Sequence, residues 1–177
     1  MDASSAHQDS LPLSSDALLE RLRSWGIGFT YHEHVPLRTV EEAKSVEAAL
    51  VEPGEVPFRL KNLYLRDRKK RNYLVTLEQD REIDLKALGA ELGIGGLSFG
   101  SADRLMEFLG IRPGAVSPLA MATGVETGVI FYMDAAARNA DRIYMHPLVN
   151  DRTIGVTPED FERVLEHLGA EVHWLEL

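Results

Sequence analysis

The chain contains no cysteine. Disulfides, thiolate metal sites and a cysteine nucleophile are excluded at once, and the absence suits a reducing compartment. No apolar run approaches the roughly 18 residues that a membrane-spanning helix needs. The first ten residues, Met1 to Ser10, have neither the cationic start nor the apolar centre of a secretory signal, so the expected setting is cytoplasmic. Basic excess is lacking too. The 28 acidic residues outnumber 19 basic ones for a formal charge of −9, which argues against broad, non-specific nucleic-acid binding. The G-x-S-x-G, Walker and H-E-x-x-H signatures are missing, as is a clustered acid pair. An ester- or amide-cleaving enzyme with none of these has to position water and stabilise charge; no metal and no cofactor is expected.

What remains is an ordinary globular composition. At 177 residues, 45% hydrophobic and 27% charged, the chain fits one domain able to bury its own core. Its charge is uneven. Between Arg59 and Arg71 lie seven basic residues against one acid, Asp67, so this +6 segment leaves the remainder at −15. A local basic ridge on an acidic body suits selective contact with a few phosphates, and equally suits a solvated hairpin tip.

Residues 1–13 are polar, include Pro12, and read as a flexible lead-in to a domain over 14–177. Ser14 or Ser15 caps a helix over Asp16–Trp25, with Leu18, Leu19, Leu22 and Trp25 at helical spacing. Residues Phe29–His34 read as a strand. Thr39 and Glu42 form a capping box that opens a helix over Val40–Leu50. Strands are expected at Phe58–Arg66 and Asn72–Glu78, joined by a hairpin tip at Asp67–Arg71. In the first, Phe58, Leu60, Asn62, Tyr64 and Arg66 face one way, while Arg59, Lys61, Leu63 and Leu65 face the other. Short helices at Asp84–Leu92 and Ser101–Leu109 precede expected strands at Val116–Met121, Gly128–Met133, Arg142–Met145 and Thr153–Val156. Thr157-Pro158 starts a helix to about Leu168, and Glu171–Leu175 closes the chain as a strand. Without a regular βαβ rhythm, this predicts an α+β fold around a mixed, largely antiparallel sheet flanked by helices.

Four features can carry chemistry. Lys61 sits inside a strand, next to Asn62; it either points to solvent or enters a cleft as a fixed cation able to hold a phosphate or an oxyanion. Gly110-Ile-Arg-Pro113-Gly114 follows a helix. Gly110 fits a left-handed helix cap, and the loop amides around Gly114 suit close approach by a carbonyl. His146-Pro-Leu-Val-Asn150 places an imidazole at a strand end, beside a pocket or simply in a turn shaped by Pro147 and Asn150. His32 and His34 share a strand face, a metal-binding spacing that lacks an evident third ligand.

Taken together, the pieces resemble a known family. His34-Val-Pro36-Leu-Arg-Thr39-Val-Glu41-Glu42-Ala43, Lys61-Asn62-Leu-Tyr-Leu65-Arg-Asp67-Arg-Lys69, Leu97-Ser98-Phe99, Leu109-Gly110-Ile-Arg-Pro113-Gly114-Ala-Val-Ser117-Pro118 and His146-Pro147-Leu-Val-Asn150-Asp-Arg-Thr153 are similar to the editing insertion domain of bacterial prolyl-tRNA synthetase and its freestanding relatives. The likeness runs in order from about Leu18 to Leu175 and is strongest to the alanyl-tRNA(Pro) deacylases. It implies a single domain hydrolysing the ester of mischarged tRNA(Pro), with alanine as the expected amino acid and prolyl-tRNA synthetase as a possible partner. It implies catalytic roles for Lys61 and His146, and a substrate pocket from Asn62, Gly110, Pro113, Gly114 and Asn150. The basic tip, Arg66, Arg68, Lys69, Lys70 and Arg71, would then meet acceptor-stem phosphates. Relatives often carry an Asn-Asp pair where this chain reads Gly124-Val-Glu-Thr127. A cysteinyl- or seryl-tRNA deacylase, or a non-catalytic tRNA- or protein-binding module, are the alternatives on the same fold.

Overall fold

The structure, a computed structural model, describes residues 1–37 and 39–177. Arg38, part of the first family-like motif, lies outside the described residues.

A 3-10 segment, Ser5–Ser10, leads into helix α1 (Ser15–Ser24), whose first turn is capped by Ser14 Oγ accepting from Ala17 N. The periodic Leu18, Leu19 and Leu22 are all buried. Strand β1 (Thr30–Glu33) is followed by helix α2 (Val40–Leu50), where Thr39 Oγ1 accepts from Glu42 N as the capping box requires. Strands β2 (Pro57–Arg66) and β3 (Asn72–Glu78) form the long hairpin. Helix α3 (Leu85–Leu92), the two-residue strand β4 (Ser98–Phe99) and helix α4 (Ala102–Leu109) come next. Helix α5 (Met121–Thr127), strands β5 (Ile130–Asp134), β6 (Arg142–Met145) and β7 (Arg152–Val156), helix α6 (Pro158–Leu168) and strand β8 (Val172–Leu175) complete the chain.

The sheet order is β1-β7-β6-β2-β3-β5-β8, with β4 added beside β2. Pairings β1–β7, β6–β7, β2–β3 and β2–β4 are antiparallel, whereas β2–β6, β3–β5 and β5–β8 are parallel. The sheet is thus mixed, within an α+β domain. β3 lies in its centre and is buried along nearly its whole length. Its alternate side chains enter two cores. Leu74 joins α1, α4, α5 and α6 on one face, while Tyr73, Val75 and Leu77 join Leu88 of α3 on the other. The alternation expected for β2 follows the same division: Phe58, Leu60 and Tyr64 pack with the first core, Leu63 and Leu65 with the second.

Two expectations are corrected. Residues 1–13 are not a loose lead-in. Ala3 is buried and its carbonyl accepts from Asn150 N at 2.8 Å; Ser5 donates from N and Oγ to Asp151, and Gln8 Oε1 accepts from Asp16 N. The segment's polar side chains are spent on specific partners, which polarity alone does not reveal. Val116–Met121 is not a strand either. Ser117 Oγ caps a 3-10 turn over Pro118–Ala120 by accepting from Leu119 N, and α5 follows directly. Ser-Pro is a helix-start signal, and here it overrides an apolar run that by itself fits either strand or buried helix.

Candidate active site

The pocket opens where two parallel strands part. β2 pairs with β6 over Pro57–Arg59 against Arg142–Tyr144. Past that point β6 ends at Met145 and turns through His146-Pro147, whereas β2 runs on to Arg66 beside β3. In this fork lies a cavity of about 270 Å³, lined by Leu37, Thr39, Val40, Ala43 and Glu47 from the α2 side, Leu60, Lys61 and Asn62 of β2, and Gln79, Gly114, Val116 and His146. A narrow extension of about 30 Å³ reaches toward Tyr144, Met145 and Thr153 and shares Glu47, Leu60, Asn62, Val116 and His146 with the main cavity. No residue of α2 is buried; its packing obligation is to this cavity rather than to the core.

Lys61 enters the cleft rather than pointing to bulk solvent. Its ammonium donates to the carbonyl of Arg81, and that carbonyl is itself held in place. Arg81 Nε donates to Asp134 at 3.0 Å, and the buried Asp134 carboxylate also accepts from Glu78 N and Ala136 N. A chain of bonds from the end of β5 thus holds the ammonium of Lys61, a residue of the cavity lining. Asn62 has both amide ends engaged: Nδ2 donates to Val116 O at 2.9 Å and Oδ1 accepts from Thr76 Oγ1 at 2.7 Å. It fixes the Val116 segment against β2 and β3 while presenting its flank to the cavity.

His146 Nδ1 lies 2.7 Å from the Arg152 carbonyl. A carbonyl can only accept, so Nδ1 carries the proton and Nε2 of the neutral ring is an acceptor. Burial pushes the imidazole pKa down, against the Arg152 carbonyl that favours the charged ring; His34, its ring centroid 6.0 Å away, adds to the lowering. His34 itself is occupied by the Val35 carbonyl and Thr153 Oγ1. Among the described residues no group of three His, Cys, Asp or Glu side chains is placed to hold a metal ion.

The turn after His146 is tight. Leu148 N donates to His146 O at 2.9 Å, and Leu148 adopts φ 69°, a left-handed conformation that costs a non-glycine residue about 1–2 kcal/mol. Such strain persists only where surrounding contacts enforce it, and Leu148 is buried in the main core.

Gly110, Pro113 and Asn150 do not line the cavity. Gly110, at φ 67°, is the left-handed cap of α4, and an added Cβ would meet Pro12 Cγ at 2.6 Å. Its N–H is spent on Met106 O, and that of Ala115 on Arg112 O. Of the Gly110–Gly114 loop, Gly114, at φ 94°, is the residue on the lining. Asn150 braces the wall: Leu37 N donates to its carbonyl and its Nδ2 donates to Leu37 O.

At the hairpin tip, Asp67 organises the basic residues. Burial alone would raise its pKa, but hydrogen bonds from the Arg71 backbone, the Tyr73 hydroxyl and the Arg71 guanidinium hold it at about 2. Arg66 donates to Lys70 O. Arg68, Lys69 and Lys70 are exposed, and Lys70 holds φ 63°. Glu47 and Gln79 were not singled out in the sequence. Glu47 reads there as one acid among several on an exposed helix, and Gln79 as a turn residue; only the fork brings them to Lys61.

Comparison with known proteins follows the same outline. The model of the aminoacyl-tRNA editing domain matches residues 34–164. The prolyl-tRNA editing protein ProX of Acetoanaerobium sticklandii is 34% identical over 167 residues, covering 93% of this chain and 98% of that protein. The prolyl-tRNA synthetase associated domain-containing protein 1 of Bos taurus is 34% identical over 160 residues, 88% of this chain and 90% of its own. A crystal structure described as a candidate trans-editing enzyme for prolyl tRNA synthetase superposes with a TM-score of 0.64 at 22% identity, over 92% of this chain and 97% of that one; at that identity the likeness speaks to the fold.

Proposed function

Because this chain belongs to the aminoacyl-tRNA editing domain family and is an aminoacyl-tRNA hydrolase, we propose that it clears mischarged tRNA(Pro), with alanine as the amino acid removed. The observation that carries this reading is the fork pocket, in which Lys61, Gly114 and His146 border one cavity. A relative matched over nearly its full length is a prolyl-tRNA editing protein, which supports tRNA(Pro) as the carrier. The smaller of the two adjoining spaces, lined by Glu47, Leu60, Asn62, Val116, Tyr144, Met145, His146 and Thr153, supports alanine, since a confined site favours a small side chain over the proline ring. In a hydrophobic pocket one methylene is worth only about 1–3 kcal/mol of attraction, so exclusion by size is the stronger sieve.

In this scheme water adds to the ester carbonyl, the bond from that carbon to the ribose 3′-oxygen breaks, and a proton passes to the departing 3′-oxygen. The products are the free amino acid and tRNA with its 3′-hydroxyl restored. Lys61, preset by Arg81 O, stabilises the negative charge that builds on oxygen. The Gly114 backbone approaches the acyl group. His146 Nε2, an acceptor, receives a hydrogen bond from the attacking water or the terminal 2′-hydroxyl. The exposed Arg68, Lys69 and Lys70 meet backbone phosphates of the acceptor stem; Lys70 occupies a left-handed position, where glycine would be less strained, and presents its cation at the tip. A cytoplasmic location and work beside prolyl-tRNA synthetase belong to the same proposal.

The test is release of amino acid from tRNA(Pro) charged with alanine, cysteine, serine or proline. Alanine should leave fastest and proline be spared. Equal release of all four would remove the size sieve, and no release from any mischarged form would remove the function.

A further inference from the structure

We infer that Glu47, with Gln79 beside it, is the receptor for the α-ammonium group of the aminoacyl ester. Among the described residues lining the cavity, Lys61 and Glu47 are the formally charged side chains at neutral pH. An aminoacyl end is itself polarised. Its α-amino group, with an ordinary pKa of about 7.7–8.0, is cationic, while the reacting carbonyl gathers negative charge. Lys61 attracts the second and repels the first, so the cation has to turn toward the other charged wall.

Two side chains on that wall have acceptor capacity left over. Glu47 Oε2 and Gln79 Oε1 are buried acceptors with no hydrogen-bond partner within the protein, and both residues line the cavity. Such orphaned acceptors are uncommon and call for an explanation. An ammonium carries three donors and no acceptor. Arg59 forms an ion pair with Glu47, Nε 3.4 Å from Oε2, but without hydrogen-bond alignment, so both atoms still lack a hydrogen-bond partner and the carboxylate keeps accepting capacity. Burial also raises the Glu47 pKa, with Arg59 and Lys44 opposing, so the ionised carboxylate has more to gain from a desolvated cation than one in water would. Neither Asn62 nor Lys61 competes for the role, since the first has both amide ends engaged and the second is itself a cation.

This inference rests on the deacylase reading, and the experiment separates the two. Single-turnover hydrolysis is compared for alanyl-tRNA(Pro) and propionyl-tRNA(Pro), which has the same acyl skeleton without the ammonium, in wild type, Glu47→Gln and Glu47→Asp. Wild type should favour the alanyl ester. Glu47→Gln should lose about 10- to 100-fold on the alanyl ester, the range expected for a hydrogen bond to a charged group, and stay within about twofold on the propionyl ester. Glu47→Asp should recover part of the alanyl rate. Preserved propionyl cleavage doubles as the control for folding. Equal losses on both esters, or no loss on either, would overturn the ammonium role while leaving the deacylase intact. A wild type inactive on every charged tRNA would overturn both.

Discussion

Replacing Lys61 by alanine is expected to lower the rate of amino-acid release about 10²- to 10³-fold, the usual cost of removing one preorganised charge-stabilising donor, while circular dichroism and thermal melting stay close to wild type. An unimpaired variant would take Lys61 out of the chemistry. His146 makes a prediction in pH. Its folded-state pKa lies below the ordinary value, with burial as the main cause, so the unfolded chain takes up the proton first. The stability this ring contributes is therefore present above about pH 6.5 and is lost as pH falls below it, levelling off past the lowered folded value. His146→Gln should flatten that part of a stability–pH curve taken from denaturant melts, and should abolish any acid limb of the rate profile between those two values. At this scale the sequence was legible where identity is chemistry. Lys61, Gly114 and His146 line the fork pocket. Asn150 and Gly110 do not, because their turn-shaping and helix-capping uses were the ones the fold adopted. Glu47 was invisible because its meaning comes from a strand and a helix that meet only in three dimensions.

Elements carry their own tests. The hairpin β2–β3 was readable because alternation and a charged tip both mark it, and its register leaves Asp67 buried beneath five basic neighbours. Asp67→Asn should destabilise the protein by about 1–3 kcal/mol through loss of charged hydrogen bonds, read as a lower denaturant midpoint with an unchanged slope. The same carboxylate, held at about 2, contributes stability that is present above its unfolded value near pH 3.9 and lost as pH falls through the folded one. Its grip on Arg71 also refines how the ridge is probed. Reversing Arg71 would unseat the tip, so Lys69→Glu with Lys70→Glu is the cleaner pair. It should weaken tRNA binding and reduce its salt dependence without slowing hydrolysis once substrate saturates. An unchanged salt slope would make the ridge a soluble hairpin and nothing more. The Val116–Met121 segment was misread because an apolar run carries no periodicity of its own, and Ser117-Pro118 decided its form.

For the whole molecule, composition correctly pointed to one α+β domain, but it missed that the first residues belong to it. Ala3, Ser5 and Gln8 tie the beginning of the chain to Asn150, Asp151 and Asp16, and Asn150 in turn holds Leu37 on the pocket wall. Deleting residues 1–10 should lower Tm by roughly 5–10 °C and slow hydrolysis through the loosened wall, whereas a floppy appendage would leave both untouched. One consequence of the parted strands reaches furthest. Lys61 and Arg66, where the basic tip begins, lie on a single uninterrupted strand, about 17 Å apart along it. β2 therefore acts as a ruler between the reacting ester and whatever the tip grips. Inserting one residue would turn its side chains to the wrong face, so the ruler can be re-cut only in steps of two residues, about 7 Å. The span between chemistry and recognition is consequently quantised, and a drift in substrate shape cannot be followed by small adjustments of this strand.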